Sequence, residues 1–598
     1  MNSPSLPPGK DASLEDTIAR ASGLLDRVGL SVEPVSWVNP APNCWSVHLQ
    51  ARECELLYTN GKGISQQAAL ASSLGEFIER LSTNFFFSDY SLVNEEKEEP
   101  FLFYPNEERF PAKSEDHLPP VSTRGEKLLN SDLLSFYDPA GELRSRHLYD
   151  INSSSSKRGI FCLPFKNSKS GEIIFFPVNI LNNLYVSNGM SAGNSRYECY
   201  AQALSEIVER HVKNHVIANG VTLPDIPSSV IKQYPKIESI LNRLRDHNLT
   251  VKVKDCSLGG KFPVICALLI HPESGGVYAA FGASYRFATA IERTLTEMLQ
   301  GRQLNQLGSF NPPVHQLSLV ADSFNLESHF IDSDGLLSWD MFRTLPDYSF
   351  TPWNFTGTTR QEYLLLKTLI KNCGHQIYIA DYNHCGMPAC RIIVPGMSEI
   401  YPVDDLIWNN KNSGTTIREQ LLLLPGLSSS QLGNLLEGLE ALNLNDQHLI
   451  SDLTGIVFDP DSPWHFLSVG EFKALLFLAL RRYQSAYIWS QWCCEHGSLQ
   501  PPRKRLFRLL TALLGFILKG DKISDYKQGM KLCFREDEID EAEKIVSAER
   551  TFPGLTFADS WQKLSSSHAT LLNLYDRINR AKKQSVKESH RTMNNGEI

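Results

Sequence analysis

The sequence is poor in the features that mark most specialised protein classes. No run approaches the ~18 consecutive apolar residues needed to cross a bilayer; the richest, Phe472 to Leu480, soon reaches Arg481 and Arg482. A membrane-spanning protein is not expected. Cysteine is dilute, 12 in 598 residues with no CxxC pair, so neither a disulfide framework nor a zinc ribbon is expected and the thiols should be reduced. Basic charge is not in excess: 58 Lys and Arg against 67 Asp and Glu leave −9. That balance argues against nucleic acid as a direct partner, because duplex binding needs a concentrated basic face. The opening MNSPSLPPGKDASLEDTIAR lacks the basic and apolar segments of a secretory signal and is too acidic for a transit peptide, so a cytoplasmic location follows by default. Also missing are GxxxxGK[ST], a Gly-rich dinucleotide fingerprint and HExxH; any ATP site must be built in another way.

What is present suffices for a globular chain, with 42% hydrophobic and 21% charged residues. From Pro34 to about Val403, strand-like runs such as TVKVKDC, PVICALLI, GVYAAFG and QIYIADY alternate with helical patterns. Their Val, Ile and Tyr content predicts a mixed α/β or α+β domain over 1–403. Beyond Asp404 the strand signal fades, and segments such as EFKALLFLALRRYQSAYIWSQWCCEHG and RKRLFRLLTALLGFILKG keep a 3.6-residue apolar spacing. An all-helical, tetratricopeptide-like domain is expected over 404–583, without a clean 34-residue consensus, and a flexible tail over 584–598. His384, Cys385 and Cys390 in NHCGMPACRIIV read as a turn leading into a strand rather than a zinc site.

Three helical segments carry polar residues where an amphipathic helix should be bland. In QQAALASSLGEFIERLSTN, Leu70, Leu74, Phe77, Ile78 and Leu81 share one side while Ser72, Glu76, Glu79 and Arg80 share the other. In SRYECYAQALSEIVERHVKN, Glu198, Gln202, Glu206 and Glu209 fall nearly on one line. ExxER thus occurs twice, as Glu76/Glu79/Arg80 and Glu206/Glu209/Arg210. FATAIERTLTEMLQGRQ adds Arg293, Glu297 and Gln300 on one stripe. Like charges three apart on a helix repel by a few tenths of a kcal/mol, a penalty that a divalent cation removes. Carboxylate oxygens are what a hard ion such as Mg²⁺ takes, with phosphate oxygens completing its shell. The bland alternative makes each ExxER a solvated helix face with a local Glu–Arg pair; its duplication after two glycine-bearing loops sets the two readings about level.

Candidates for holding phosphates are Lys10, the GKG stretch at Gly61 to Gly63, and SNGMSAGN with Ser191, Gly193 and Asn194 before a helix N-terminus, where free amides favour anions. Taken singly, Lys10 is a terminal lysine, GKG is a turn, and SLGGKFPV is a hairpin turn.

GKDASLEDTIAR, TNGKG, GEFIERLS, NLYVSNGMSAGN, ALSEIVERHVKN and AIERTLTEMLQGR, in this order from about Gly9 to Tyr401, resemble the signature segments of the YcaO family. The resemblance implies an ATP fold without a P-loop. It makes Glu76, Glu79, Glu206 and Glu209 ligands of Mg²⁺, with Glu76, Arg210 and Arg293 in catalytic roles. It further implies that Lys10, Thr17, Ser72, Ser191, Asn194, Glu198, Arg210, Arg293 and Glu297 contact the nucleotide, Thr17 standing where Ser occurs in the family. Azoline-forming members use ATP to phosphorylate a peptide amide oxygen and often end in a Pro-rich tail. This chain ends RTMNNGEI, which favours the founding subgroup: an accessory factor in β-methylthiolation of an aspartate in a small-subunit ribosomal protein, acting beside a radical methylthiotransferase. A homodimer is implied by the family alone. The expected function is ATP- and Mg²⁺-dependent activation of a peptide amide or carboxylate; azoline formation, or a non-catalytic scaffold regulated by ATP, are the alternatives.

Overall fold

The first helix begins where the sequence supplies a cap. Ser13 Oγ accepts a hydrogen bond from the Asp16 amide, and Glu15 and Asp16 occupy the first turn of α1 (Leu14–Arg27). The computed structural model describes residues 6–92, 106–111, 118, 127–153, 159–331 and 333–595. After α1 come three antiparallel strands in the order β1-β2-β3: β1 (Val32–Ala41), β2 (Cys44–Ala51) and β3 (Cys54–Gly63). Helix α2 (Gln66–Ser82), capped by Ser65, lies against β3.

Here the structure corrects the sequence reading, because GKG is not a turn: Gly61, Lys62 and Gly63 close β3, opposite Val47, Ser46 and Trp45 of β2. The glycines serve α2. A Cβ on Gly61 would stand 2.1 Å from the Ala69 carbonyl oxygen, and one on Gly63 2.7 Å from Ala68 Cβ. Lys62, between them, alternates out of that contact.

A six-stranded sheet contains β4 (Glu108–Phe110), β5 (Ile160–Asn167), β6 (Ile173–Pro177), β7 (Met190–Ala192), β11 (Tyr378–Tyr382) and β12 (Ala389–Ile393), ordered β4-β5-β11-β12-β7 with β6 also on β5. Its chain excursion between β7 and β11 supplies a second three-stranded sheet, β8 (Thr250–Asp255), β9 (Val264–Ile270) and β10 (Val277–Ala283). The strand-like runs anticipated in the sequence are β8 to β11. Helix α3 (Arg196–Ala218) packs between β10, β12 and α5 (Thr359–Asn372), and α4 (Phe287–Met298) packs on β10. The α4 contact repeats the device under α2: a Cβ on Gly282 of β10 would lie 2.5 Å from Thr294 Oγ1. In both places a strand-end glycine lets a helix backbone settle on the sheet and brings that helix's polar stripe to the strand's end.

After β12 the described residues hold helices and no strand. Helix α6 (Val469–Ala479) is buried on nearly every side, and α7 (Tyr483–Glu495) and α8 (Pro501–Lys519) surround a separate apolar cluster with it. The last helix, α9 (Ser566–Asn595), returns to the first part of the molecule. Leu571, Leu574, Tyr575 and Ile578 share one core with Leu24, Phe77 and Phe87; the Phe87 and Tyr575 rings meet at 5.1 Å, and Lys582 Nζ donates to the Leu81 carbonyl and, at 2.7 Å, to Asn84 Oδ1. The helix also runs past Gln584, where a flexible tail is expected, because QSVKESHRTMNN contains neither Pro nor Gly to end it; residues 596–598 of that tail lie outside the described residues.

Candidate functional site

The two ExxER motifs are built alike. On α2, Arg80 reaches Glu76 at 3.1 Å and Glu79 at 3.7 Å, and its guanidinium lies 4.4 Å over the Phe85 ring. On α3, Arg210 reaches Glu206 at 3.1 Å and lies 4.4 Å over Phe330. The local Glu–Arg pairs foreseen by the bland reading are therefore present, yet the faces that carry them are not solvated: Glu79, Arg80, Glu206 and Arg210 are all half-buried or less exposed.

The two acidic helices act on each other. Burial pushes Glu79 up to about 8; Arg80 opposes the shift, while Glu76 and, from the other helix, Glu206 reinforce it. Glu209 is likewise held above the ordinary carboxylate range by burial and by Glu206, although it accepts the Ala283 amide at 3.0 Å. Between the helices stands Lys62. Its ammonium meets the Glu297 carboxylate and, at 3.2 Å, Gln300 Oε1 of the neighbouring chain turn. Burial lowers its pKa, and the carboxylates of Glu209, Glu76 and Glu206 act against that lowering. Arg293 of α4 closes the cluster, donating to the Ala283 carbonyl at 3.0 Å and to Gln202 Oε1 at 2.5 Å. The backbone of Ala283, at the end of β10, thus links Glu209 of α3 through its N–H with Arg293 of α4 through its C=O.

Among the described residues no three carboxylate, histidine or cysteine groups are already gathered as a ligand set. Each glutamate is instead turned to a cation or an amide. The donor chemistry nevertheless fits Mg²⁺: oxygen ligands only, on two rigid helices, with Glu79 pushed up to about 8 by burial and further by the carboxylates of Glu76 and Glu206.

A second cluster lies at the start of α3. Glu198, 4% exposed, meets Lys10 Nζ at 3.2 Å and accepts the Asp11 amide at 3.0 Å and Asn194 Nδ2 at 3.3 Å. Asn194 Nδ2 also donates to Thr17 Oγ1 at 3.0 Å. Four residues expected to touch nucleotide are therefore in contact with one another. Eight residues separate Glu198 from Glu206, about 12 Å along the helix, and Cys199 feels Glu198 and Lys10 from one cluster and Glu79 from the other. Ser72 is exposed one turn before Glu76. Ser191 is buried in β7 opposite Cys390, and Glu297 is taken up by Lys62. His384 lies in a turn before β12, its Nε2 3.2 Å from the Ser82 carbonyl oxygen, and burial pushes it down to about 3.

Sequence reasoning passed over Lys62 as a side chain, and also the Ala283 backbone. The signal for Lys62 was the pair of glycines flanking it, read as a turn although they mark a close helix–strand approach. Ala283 carries no signal, since it acts through its backbone.

Residues 60–398 match the family model described as YcaO cyclodehydratase, ATP- and Mg²⁺-binding, and residues 414–584 match the YcaO cyclodehydratase C-terminal domain. The chain is 43% identical over 580 residues to the ribosomal protein S12 methylthiotransferase accessory factor YcaO of Escherichia coli, covering 96% of this chain and 98% of that one. It is 41% identical to an uncharacterized protein of Haemophilus influenzae, covering 97% and 99%. Among solved structures, YcaO from Methanopyrus kandleri bound with AMPPCP and Mg²⁺ matches with a TM-score of 0.39 and 17% identity, over 66% of this chain and 95% of that one.

Proposed function

This chain belongs to the YcaO family and carries its ATP- and Mg²⁺-binding domain, and from that premise we propose that it uses ATP to activate a peptide amide or carboxylate oxygen on a protein substrate. We further propose that it does so as an accessory factor in β-methylthiolation of an aspartate in ribosomal protein S12; its Escherichia coli relative is named as an accessory factor of the S12 methylthiotransferase. The observation that carries the reading is the convergence of the acidic stripes of α2 and α3 on Lys62.

Glu76, Glu79, Glu206 and Glu209 would hold the metal, which supplies charge neutralisation and polarises phosphate oxygens when bound. The chain's own part is positioning. Lys10, Thr17, Asn194 and Glu198 bind at one end of the site, with Ser72, Ser191 and Glu297 as further nucleotide contacts. Arg293, whose charge acts on Lys62, and Arg210, beside Glu206, would balance charge that builds on the phosphates as a substrate oxygen attacks. Burial holds Glu79 up at about 8 and Glu209 above the ordinary carboxylate range, so a bound cation would favour the ionised form of both. The helical segment 404–583 would recruit the radical methylthiotransferase, and the protein would act as a homodimer.

Titration of Mg²⁺-ATP and release of ADP or AMP, measured with and without S12 for the wild type and Glu76→Ala, tests this reading. Loss of binding and turnover in Glu76→Ala is expected. Equal activity in both proteins overturns the metal role, and nucleotide binding with no turnover even beside S12 favours the scaffold.

A further inference from the structure

Lys10 sits in a stretch, residues 6–12, with neither helix nor strand, so its place beside Glu198 has to be set by contacts of another kind. Asp11 provides them. Its carboxylate accepts from Thr359 Oγ1, at 3.1 Å and 2.9 Å to the two oxygens, and from the hydroxyl of Ser195. Ser195 caps α3 and Thr359 is the first residue of α5. The carboxylate therefore bridges the starts of two long helices, where negative charge is favoured. At the same time the Asp11 amide donates to Glu198 Oε2 at 3.0 Å, on the carboxylate whose Oε1 meets Lys10 Nζ at 3.2 Å.

The residues before it are fitted to the same course. Gly9 has φ +75°, and a Cβ there would lie 3.2 Å from Arg286 Nε. Arg286 is itself fixed by Glu362 of α5 at 3.3 Å and by the Gly357 carbonyl at 2.5 Å. The strap thus runs over a preset floor, and Asp11 is its fastening.

We propose that Asp11 is a positioning residue of the nucleotide site: it staples the N-terminal strap across the starts of α3 and α5 and so sets the Lys10–Glu198 pair where ATP meets it. The proposal rests on the reading of Lys10 and Glu198 as nucleotide contacts. Asp11 is exposed and adds nothing to the apolar core, so its loss leaves the fold intact but frees a strap that must then be ordered each time nucleotide binds.

The test is calorimetric titration of the full-length protein with Mg²⁺ and a non-hydrolysable ATP analogue. The proteins are the wild type, Asp11→Ala, Lys10→Met, the double variant and Thr359→Val. Asp11→Ala is expected to bind about tenfold more weakly, the value of one charge-assisted hydrogen bond, with the melting temperature in the absence of nucleotide lowered by no more than a few °C. Because Asp11 acts through Lys10, the double variant should bind no more weakly than Lys10→Met alone. Thr359→Val, which removes the donor and keeps the shape, should weaken binding in the same direction. In turnover, KM for ATP should rise with kcat within about twofold. Wild-type affinity in both Asp11→Ala and Thr359→Val, or penalties of Asp11→Ala and Lys10→Met that multiply, overturns the staple. A wild type that binds no analogue overturns the nucleotide reading beneath it.

Discussion

Lys62 is the residue on which the charge balance of the site turns. Its ammonium meets Glu297 and lies within the influence of Glu209, Glu76 and Glu206, so removing it leaves several carboxylates facing one another across two helices. Lys62→Met is expected to lower the stability of the Mg²⁺-free protein by about 1–2 kcal/mol, the range for a partly exposed pair in an acidic surrounding. Added Mg²⁺ without nucleotide should then raise the melting temperature of this variant more than that of the wild type. Thermal melts with chelator and with Mg²⁺ decide it, and identical curves for the two proteins would remove Lys62 from the role of counter-ion. At this scale the sequence was legible for side chains in stripes and silent on the rest. Glu76, Glu79, Glu206 and Glu209 stand out through helical spacing, whereas Lys62 and the Ala283 backbone acquire meaning only from what folds against them.

Elements owe their placement to small residues more than to large ones. Glycines at the ends of β3 and β10 let α2 and α4 descend onto their strands, and that descent puts Glu76, Glu79 and Arg293 beside α3. Gly61→Ala would press a methyl into the Ala69 carbonyl at 2.1 Å; overpacking of this kind costs about 1–3 kcal/mol and shifts the helix. Both a lower melting temperature and weaker ATP binding are expected. Gly75→Ala, on the same helix with nothing within 4 Å of its added Cβ, should instead stabilise by up to about 1 kcal/mol through helix propensity. Denaturant melts of the two variants separate the effects, and a destabilised Gly75→Ala would show that α2 tolerates no change at all. The strands β8 to β11 and the helical character after residue 404 were readable from period and composition, because those patterns are local. The end of β3 was misread because a glycine pair signals either a turn or a close approach, and only the helix above it distinguishes them.

The whole molecule is tied together from its far end. Leu571, Leu574, Tyr575 and Ile578 of α9 complete the core that holds α1 and α2, so a chain stopped at Ser565 leaves Leu24, Phe77 and Phe87 partly uncovered. Such a truncated protein is expected to bind a hydrophobic dye and to lose ATP binding, although every site residue is retained; undiminished ATP affinity would show that the core closes without α9. Acid should also act on the molecule as a whole. Burial pushes His211 and His329 down to about 4, and His384 and His568 down to about 3, from an ordinary value of 6.5. Between those values and 6.5 the unfolded chain binds more protons than the folded one. Stability is therefore complete above pH 6.5 and falls as the pH drops toward 4 and 3. His568→Gln should flatten that fall in melts recorded from pH 4 to pH 8, and an unchanged slope would exclude this histidine as a contributor.

The sequence alone settled the class of the fold, the strands β8 to β11, the helical character after residue 404 and the identity of the acidic stripes, since each rests on spacing along the chain that physics reads locally. Tertiary structure decided which cation stands between the stripes, which residue's backbone links α3 to α4, what holds the strap carrying Lys10, and that the last helix belongs to the first core. Those are contacts between residues tens to hundreds of positions apart, and no local period encodes them.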